Sequence, residues 1–522
     1  MSADATTAPS PAATPAISPI ILLNPADNVA VARSAIRPGE TSAIDGVNPL
    51  RMIPRGHKIA LKSIAKGDAV MKYGQIIGFA TQDIPAGDHV HVHNLTVGEF
   101  GRDYAFCVDA KPVNLLAPEE RATFMGYKRP DGRVGTRNFI VVISSVNCSA
   151  SVSRAVCAHF SAPGVMDRYP GVDGVIALTH GGGCALNTKG EGYDYLTRTI
   201  AGYATHPNVG GVLMIGLGCE TNQIPALLER EGLAESDRLH TLTIQATGGT
   251  RKTIAAGIEA VEKMMPIVGK AERTKQDASG IVVALECGGS DGYSGISANP
   301  ALGHAADLIV RHGGTVVLSE TPEIYGAEHL LTRRAARPEV AQKLLDRIDW
   351  WRDYTTRNNA EMDNNPSHGN KAGGLTTILE KSLGAVAKGG NTTLEAVYEY
   401  SEKVTAKGLV FMDTPGYDPV AVTGQVAGGC NIICFTTGRG SVSGFKPAPS
   451  LKLATNSEMF RHMEEDMDLD CGTVVTGSET IEELGERIFA RILETASGRQ
   501  TVSEELGYGD NEFVPWQVGA VM

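Results

Sequence analysis

Four cysteines, Cys148, Cys184, Cys219 and Cys287, each follow directly on an apolar run that reads as a β-strand, at intervals of 36, 35 and 68 residues. A strand–helix–strand unit takes about 30 residues or more, so the first two intervals match one unit each and the third about two. Open parallel sheets place their ligand crevice beyond the carboxyl ends of the strands. Neighbouring strands lie about 4.8 Å apart, so the spacing predicts three or four sulfurs on one edge, close enough to hold iron as a cluster. The same positions also suit small thiols packed at strand ends, because free cysteine is among the most buried residue types. Cys107, Cys157, Cys434 and Cys471 are read that second way, and Cys430 is assigned to neither.

His89-Val90-His91-Val92-His93-Asn94 alternates strictly. As a strand it places three imidazoles on one face, where they bind a divalent metal or move a proton; a solvated surface strand would carry the same pattern. Glu286-Cys287-Gly288-Gly289-Ser290-Asp291-Gly292, followed by Asn299-Pro300, joins a strand end, a flexible turn and several oxygen donors ahead of a helix. A backbone loop at a helix start is a ready anion site. Polar strand ends recur at Ser319-Glu320-Thr321-Pro322-Glu323, at Asn364 to Gly374 with Asn370 and Lys371, at Thr436-Thr437-Gly438-Arg439-Gly440, and at Thr455-Asn456-Ser457-Glu458. Each alone is an ordinary turn. Their number points to a polyhydroxylated anionic substrate, with Arg439 and Lys371 clamping its carboxylate.

The elements that must position these groups follow from the pattern of the whole chain. Its 522 residues exceed one ordinary core. The 42% hydrophobic and 20% charged content is that of a globular protein, and 60 glycines imply many tight turns. A net charge of -12 without any basic block argues against nucleic acid. No apolar run approaches the roughly 20 residues that span a bilayer, and no signal peptide is recognisable, so a cytoplasmic protein without a membrane partner is expected. Nine scattered cysteines are then thiols or metal ligands rather than disulfides.

Residues 1–17, rich in Ala, Pro, Thr and Ser, read as a disordered tail. Residues 18–97 carry short β-rich runs and predict a small all-β module, and residues 98–125 read as a linker. After Gly126, apolar runs such as NFIVVISSVNC, VGGVLMIGLGC, GIVVALECGG and CNIICFTTGRG alternate with helical stretches. That alternation is the mark of parallel α/β sheets. A polar stretch near 270–278 divides them into a middle domain, 126–275, and a C-terminal domain, 276–522. Neither GxxxxGK[ST] nor GxGxxG is present, so ATP and NAD are not expected as cofactors.

The stretches RGHKIAL, IAKGDAVMKYGQIIGFA, HVHN, GYKRPDGRVGTRN, IGLGCETNQ, ECGGSDGYSGISANPALG, PSHGNKAGGLTTILEKSLG, FTTGRG and KLATNSE are long and specific. With them the chain resembles the altronate/galactarate dehydratase family over nearly its whole length after the tail. The His91-x-His93 pair and PEIYGAE, from Pro322 to Glu328, are similar to the altronate branch, whereas Gly181-Gly182-Gly183 stands where the family usually has a tyrosine before the second cysteine.

The resemblance implies a β-clip (SAF-like) N-terminal domain followed by a middle domain and a Rossmann-like C-terminal domain. It also implies loss of water from a sugar acid, a need for iron, and a homodimer or larger homo-oligomer. On that basis an altronate-type aldonate loses its C2 proton and C3 hydroxyl to give a 2-keto-3-deoxy acid. Iron, as a cluster on Cys148, Cys184, Cys219 and Cys287 or as mononuclear Fe2+ on histidine and oxygen ligands, acts as Lewis acid. His91 or His93 transfers the proton, Lys371 and Arg439 orient the carboxylate, and Ser290, Asp291, Asn299, Glu320, Asn370 and Thr437 line the substrate. The alternatives are a galactarate dehydratase, a sulfolactate sulfo-lyase-like enzyme, or a sugar-acid binding protein whose thiols are inert.

Overall fold

A computed structural model describes residues 18–39 and 46–520, so the expected tail lies outside the described residues. The N-terminal part is a β module of two small antiparallel sheets. One runs in the order Ile20–Ile21, Val29–Ala32, Lys58–Ala60, His89–Val90, and the other joins Ala69–Lys72, Gln75–Ala80 and Leu95–Thr96. Strands this short bury little on their own. The module completes its core by docking: Val70, Ile77 and Val90 belong to the same buried cluster as Ile309, Leu318 and Phe411 of the C-terminal domain.

After Thr96 the chain runs with a single 3-10 turn, Pro118–Glu120, as far as the strand Thr123–Lys128. That strand pairs antiparallel with Thr274–Asp277. The polar stretch expected as a boundary is therefore partly a strand, and it clasps the beginning of the middle α/β region to its end.

Between them lies a four-stranded parallel sheet in the order Gly174–Leu178, Phe139–Ser144, Val209–Gly216, Leu239–Thr243. Phe139–Ser144 is buried along its whole length, which explains its unbroken apolar run. The helices Ala150–Phe160 and Thr250–Val268 pack together on this layer. The C-terminal sheet has seven strands in the order Leu394–Tyr398, Gly408–Met412, Thr315–Leu318, Val282–Cys287, Ile432–Thr437, Ser450–Ala454, Leu469–Asp470, all parallel. Helices Ala298–Arg311 and Ile481–Ala496 pack together beside it, and Asp418–Gly428 packs against Glu191–Ala204 of the middle region. A β-clip-like module followed by two parallel-sheet layers is the architecture expected from the sequence. No helix among the described residues is long and apolar enough to cross a membrane.

Candidate functional site

Val282–Cys287 and Ile432–Thr437 are neighbours in the seven-stranded sheet, yet the chain continues from them to opposite sides, toward Thr315–Leu318 and Ser450–Ala454. Loops that part in this way open a crevice beyond the carboxyl ends of the strands. Glu286 and Cys287 end one strand at this place, and Thr436 and Thr437 end the other.

Around Cys287 the chain collects a buried acidic nest from separate segments. The Cys287 thiol lies 3.6 Å from Glu320 Oε2 and 3.4 Å from Glu323 Oε2. Lys388 Nζ donates to Glu320 at 2.7 Å, and Lys381 Nζ donates to Glu323 at 2.6 Å and to Asn365 at 2.8 Å. Asp418 starts the helix that faces them. Glu320 itself sits at φ 65°, ψ 62°, in the left-handed region. That conformation costs a non-glycine residue about 1–3 kcal/mol and persists only where its surroundings impose it, most often at functional sites. The Thr414 hydroxyl, accepting from Glu320 N at 2.9 Å, is one of those constraints.

The nest fits a divalent cation. Two sets of donor atoms gather within 4.8 Å, Cys287 with Glu320 and Glu323, and Glu286 with Glu320 and Asp418, sharing Glu320. Four carboxylates against Lys381 and Lys388 leave a surplus of negative charge in a water-poor place, which is costly unless protons or a cation relieve it. The carboxyls answer accordingly. Burial first, then Glu320, pushes Asp418 up to about 7, and burial together with neighbouring acids raises Glu286 and Glu320. Glu286 Oε1 and Glu320 Oε1 are buried with no hydrogen-bond partner, so two acceptors remain for an ion. Hard oxygens with one sulfur suit a borderline divalent metal.

The β module presents four imidazoles, not three. The alternating segment leaves strand geometry after Val90 and turns, because the buried Asn94 accepts from His91 N at 2.9 Å and donates to the His89 carbonyl at 2.9 Å. The rings still gather: His89 lies 5.4 Å from His91 and 5.5 Å from His93 between centroids, and His57, a residue the sequence reading passed over, stacks 4.9 Å from His91.

This cluster touches the loop that follows Ser367. His91 Nε2 meets the Lys371 carbonyl at 2.8 Å, and His57 Nε2 meets the Ala372 carbonyl at 3.3 Å. A carbonyl only accepts, so both Nε2 atoms carry their protons and both Nδ1 atoms are left as acceptors. His57 Nδ1 then receives from His89 Nε2 at 3.0 Å. Burial lowers His57 to about 4 and His89 to about 3, and it lowers His91 as well, so the neutral, proton-accepting forms prevail at neutral pH.

The module is locked in this position by Glu380, whose carboxylate accepts from Lys58 at 3.0 and 2.9 Å and from Lys72 at 2.8 Å; Lys58 also donates to the Gly374 carbonyl at 2.7 Å. Gly292 and Gly374 lie so close to the Gly56 carbonyl that a Cβ at either position would collide with it.

The residues expected to line the substrate all fall around this crevice, but most are engaged with the protein. Asp291 accepts from Thr455 Oγ1 at 2.9 Å, Asn456 Nδ2 at 3.1 Å, Ser294 Oγ at 3.1 Å and Tyr293 N at 3.0 Å, which makes it a brace between loops. Asn299 bridges Thr436 Oγ1 and the Gly384 carbonyl, Asn370 holds the Ser290 carbonyl, and Thr437 Oγ1 accepts from Gly440 N. Arg439 is exposed, with its side chain over Gly373 near Asp291, and Lys371 is half-buried.

One expectation is corrected outright: the four thiols do not share an edge. Cys148, Cys184 and Cys219 end strands of the four-stranded sheet and are exposed, whereas Cys287 is buried at the end of a strand in the seven-stranded sheet. The 68-residue interval is not two further units of one sheet. It contains the edge strand Leu239–Thr243, the long helix Thr250–Val268 and the antiparallel return strand Thr274–Asp277 before a new sheet begins. Glu286, Glu323 and Asp418, which the sequence reading did not single out as site residues, take the places at Cys287 that the other sulfurs were expected to fill.

Family models match the chain in succession. The altronate/galactarate dehydratase SAF domain covers residues 18–98, the D-galactarate dehydratase/altronate hydrolase second domain covers 126–269, and the D-galactarate/altronate dehydratase C-terminal domain covers 278–521. Altronate dehydratase of Escherichia coli (strain K12) is 36% identical over 490 residues, 93% of this chain and 96% of that protein. Galactarate dehydratase (L-threo-forming) of the same organism is 36% identical over 496 residues, 93% and 94% of the two chains. The (2R)-sulfolactate sulfo-lyase subunit beta of Chromohalobacter salexigens is 32% identical over 395 residues, 75% of this chain and 96% of that one.

Proposed function

Because the chain belongs to the D-galactarate/altronate dehydratase family and is a hydro-lyase of sugar acids, we propose that its substrate is an altronate-type aldonate, dehydrated to a 2-keto-3-deoxy acid. The observation that carries the reading is that the neutral imidazoles of the β module dock on the Lys371–Ala372 segment, which through Asn370 holds Ser290, three residues beyond Cys287 of the acidic nest.

The C2 proton of an aldonate is weakly acidic, since the adjacent carboxylate resists a second negative charge. Removing it requires a base whose lone pair is unengaged and a charged environment that stabilises the enediolate. His91 meets the first need through Nδ1, its Nε2–H being held by the Lys371 carbonyl. His93, exposed on the same cluster, relays the proton to solvent. Arg439, whose side chain lies over Gly373, and Lys371, on the short helix His368–Ala372 that ends at Gly373, orient the substrate carboxylate.

Divalent iron, held by ligands drawn from Glu286, Cys287, Glu320, Glu323 and Asp418, would supply Lewis acidity for the enediolate oxygen and for the departing hydroxide. Lys381 and Lys388 hold Glu323 and Glu320 in place and limit the charge of the nest. Asp291, Asn299 and Asn370 keep the crevice loops in register. A dimer or larger homo-oligomer in the cytoplasm belongs to the same proposal, by family resemblance.

Galactarate is the second reading, favoured by the equal 36% identity to a galactarate dehydratase. The test is turnover by the purified, Fe2+-supplied protein under reducing conditions, offered altronate, galactarate and sulfolactate in separate reactions. The keto-deoxy product is expected from altronate. Turnover of galactarate or sulfolactate with none of altronate overturns the assignment.

A further inference from the structure

Three cysteines remain outside the site just described, and the fold treats them unlike the rest. Of the nine thiols, only Cys148, Cys184 and Cys219 are exposed; five are buried and Cys107 is intermediate. Free cysteine is ordinarily buried, and an exposed thiol is an oxidation liability that folds avoid. Three together at the ends of three adjacent strands demand a reason.

Their position supplies one. In the four-stranded sheet, the first strand Phe139–Ser144 leads outward to Gly174–Leu178 on one side, while Val209–Gly216 on its other side leads on to Leu239–Thr243. The order reverses between Phe139–Ser144 and Val209–Gly216, and ligands of doubly wound sheets bind at such a reversal, beyond the carboxyl ends. Cys148 follows the first of these strands and Cys219 the second, with Cys184 on the loop after the neighbouring strand.

The three loops are bound to one another. Asn147 N donates to the Gly182 carbonyl at 3.0 Å, Asn222 N to the Gly183 carbonyl at 3.0 Å, and Thr221 N to the Cys184 carbonyl at 3.0 Å. Asn222 Nδ2 reaches the Ser145 carbonyl at 3.0 Å. The buried Glu220 gathers Ser145 Oγ at 2.8 Å, Leu217 N at 3.1 Å and Gly218 N at 2.6 Å. Gly183, at φ +95°, lies against Ser145 so tightly that no side chain fits. A side-chain amide is already aimed at one sulfur: Gln245 Nε2 donates to Cys219 Sγ at 3.4 Å.

The spread of the sulfurs argues against one small ion as their shared ligand. Among the described residues, the sets of donor atoms lying within 4.8 Å of one another do not include this trio, so it is not drawn together as the ligands of one tetrahedral ion would be. A centre in which each thiolate binds a different metal atom has the wider footprint, and hydrogen bonds to its sulfurs are a usual accompaniment.

We propose that Cys148, Cys184 and Cys219 bind an iron–sulfur cluster at the reversal point of the middle sheet, a site separate from the Cys287 nest. Binding takes up ferrous and ferric iron in equal parts together with inorganic sulfide and releases the three thiol protons; with both iron states supplied, no further oxidant or reductant is consumed. The inference does not depend on the identity of the sugar acid.

The test uses the full-length protein, purified anaerobically and reconstituted with Fe2+, Fe3+ and sulfide, assayed for acid-labile sulfide, visible absorption and thiol alkylation. About four sulfides per chain are expected, with the three exposed thiols protected until the centre is destroyed by air and chelator. The triple variant Cys148→Ser/Cys184→Ser/Cys219→Ser is expected to lose the sulfide and the visible absorption, while Cys287→Ser keeps both. Alkylation protection in the unmutated protein provides a readout that needs no variant to fold. Absence of labile sulfide after reconstitution, its retention by the triple variant, or free alkylation of all three thiols in the reconstituted protein each overturns the proposal.

Discussion

Lys58 of the β module and Glu380 of the C-terminal domain, 322 residues apart in sequence, form a fully buried ion pair with contacts of 3.0 and 2.9 Å, and Lys72 joins it from the same module at 2.8 Å. Against the upward push of burial, the two ammonium groups hold the Glu380 carboxyl well below the usual carboxylate range. Removing the carboxylate leaves two buried cations without a counter-charge. Glu380→Gln is therefore expected to cost about 3–5 kcal/mol and to release the module. Urea denaturation, with limited proteolysis in the 98–122 linker, measures both effects; a cost below about 1 kcal/mol with the linker still protected would show that the pair does not hold the module.

The imidazole cluster sets a pH dependence of opposite origin. His57 and His89 are lowered by burial, to about 4 and about 3, from an ordinary value near 6.5. Between pH 6.5 and 4 the unfolded chain takes up protons at these rings and the folded one does not, so stability falls as pH falls through that window. His57→Asn/His89→Asn is expected to flatten the slope of unfolding free energy over this range while leaving it unchanged between pH 7 and 8. An identical slope in the variant would remove these rings from the explanation.

Loss of the proton-transfer group affects the chemical step more than binding. His91→Asn is expected to lower kcat by about a hundred- to ten-thousand-fold with KM nearly constant. Arg439→Ala, which leaves the base intact, is expected instead to raise KM. Steady-state kinetics on the two variants separate the roles, and interchanged effects would exchange the assignments.

Metal uptake by the acidic nest exchanges protons for an ion. Glu286, Glu320 and Asp418 are all raised by burial, Glu286 and Asp418 further by Glu320, and Glu320 further by Glu323, so the nest favours protons that a bound cation displaces. Adding Fe2+ to chelator-treated protein in weak buffer is expected to acidify the solution. Glu320→Gln, which removes the ligand common to both donor sets, is expected to reduce bound Fe2+ more than Cys287→Ala, which belongs to one. Equal iron content in the Glu320→Gln variant and the unmutated protein would argue against the nest.

Much of this architecture was legible in the chain. The continuous runs at Phe139–Ser144, Val282–Cys287 and Ile432–Thr437 are buried on both faces, so their composition alone marks them as interior parallel strands. The spacing of Cys148, Cys184 and Cys219 marks them as following successive strands, because one strand–helix unit has a nearly fixed length. Glu320 and Glu323 share the polar strand end Ser319–Glu323, where nothing in the local pattern separates a ligand from an ordinary turn residue. Asp418, at the start of an otherwise apolar helix, gave only the signal of an ordinary helix start.

What the amino-acid order determined on its own was local: which segments are strands, which are helices, and which polar groups stand at their ends, since these follow from periodicity over a few residues. Only the tertiary structure decided that Cys287 leaves the other sulfurs for Glu320 and Glu323, that His57 joins His89, His91 and His93, and that Glu380 receives two lysines from a distant module. Those meetings depend on where a sheet begins anew and on how one domain docks upon another. Both are settled by burial and charge pairing between segments hundreds of residues apart, and no short-range pattern in the chain encodes them.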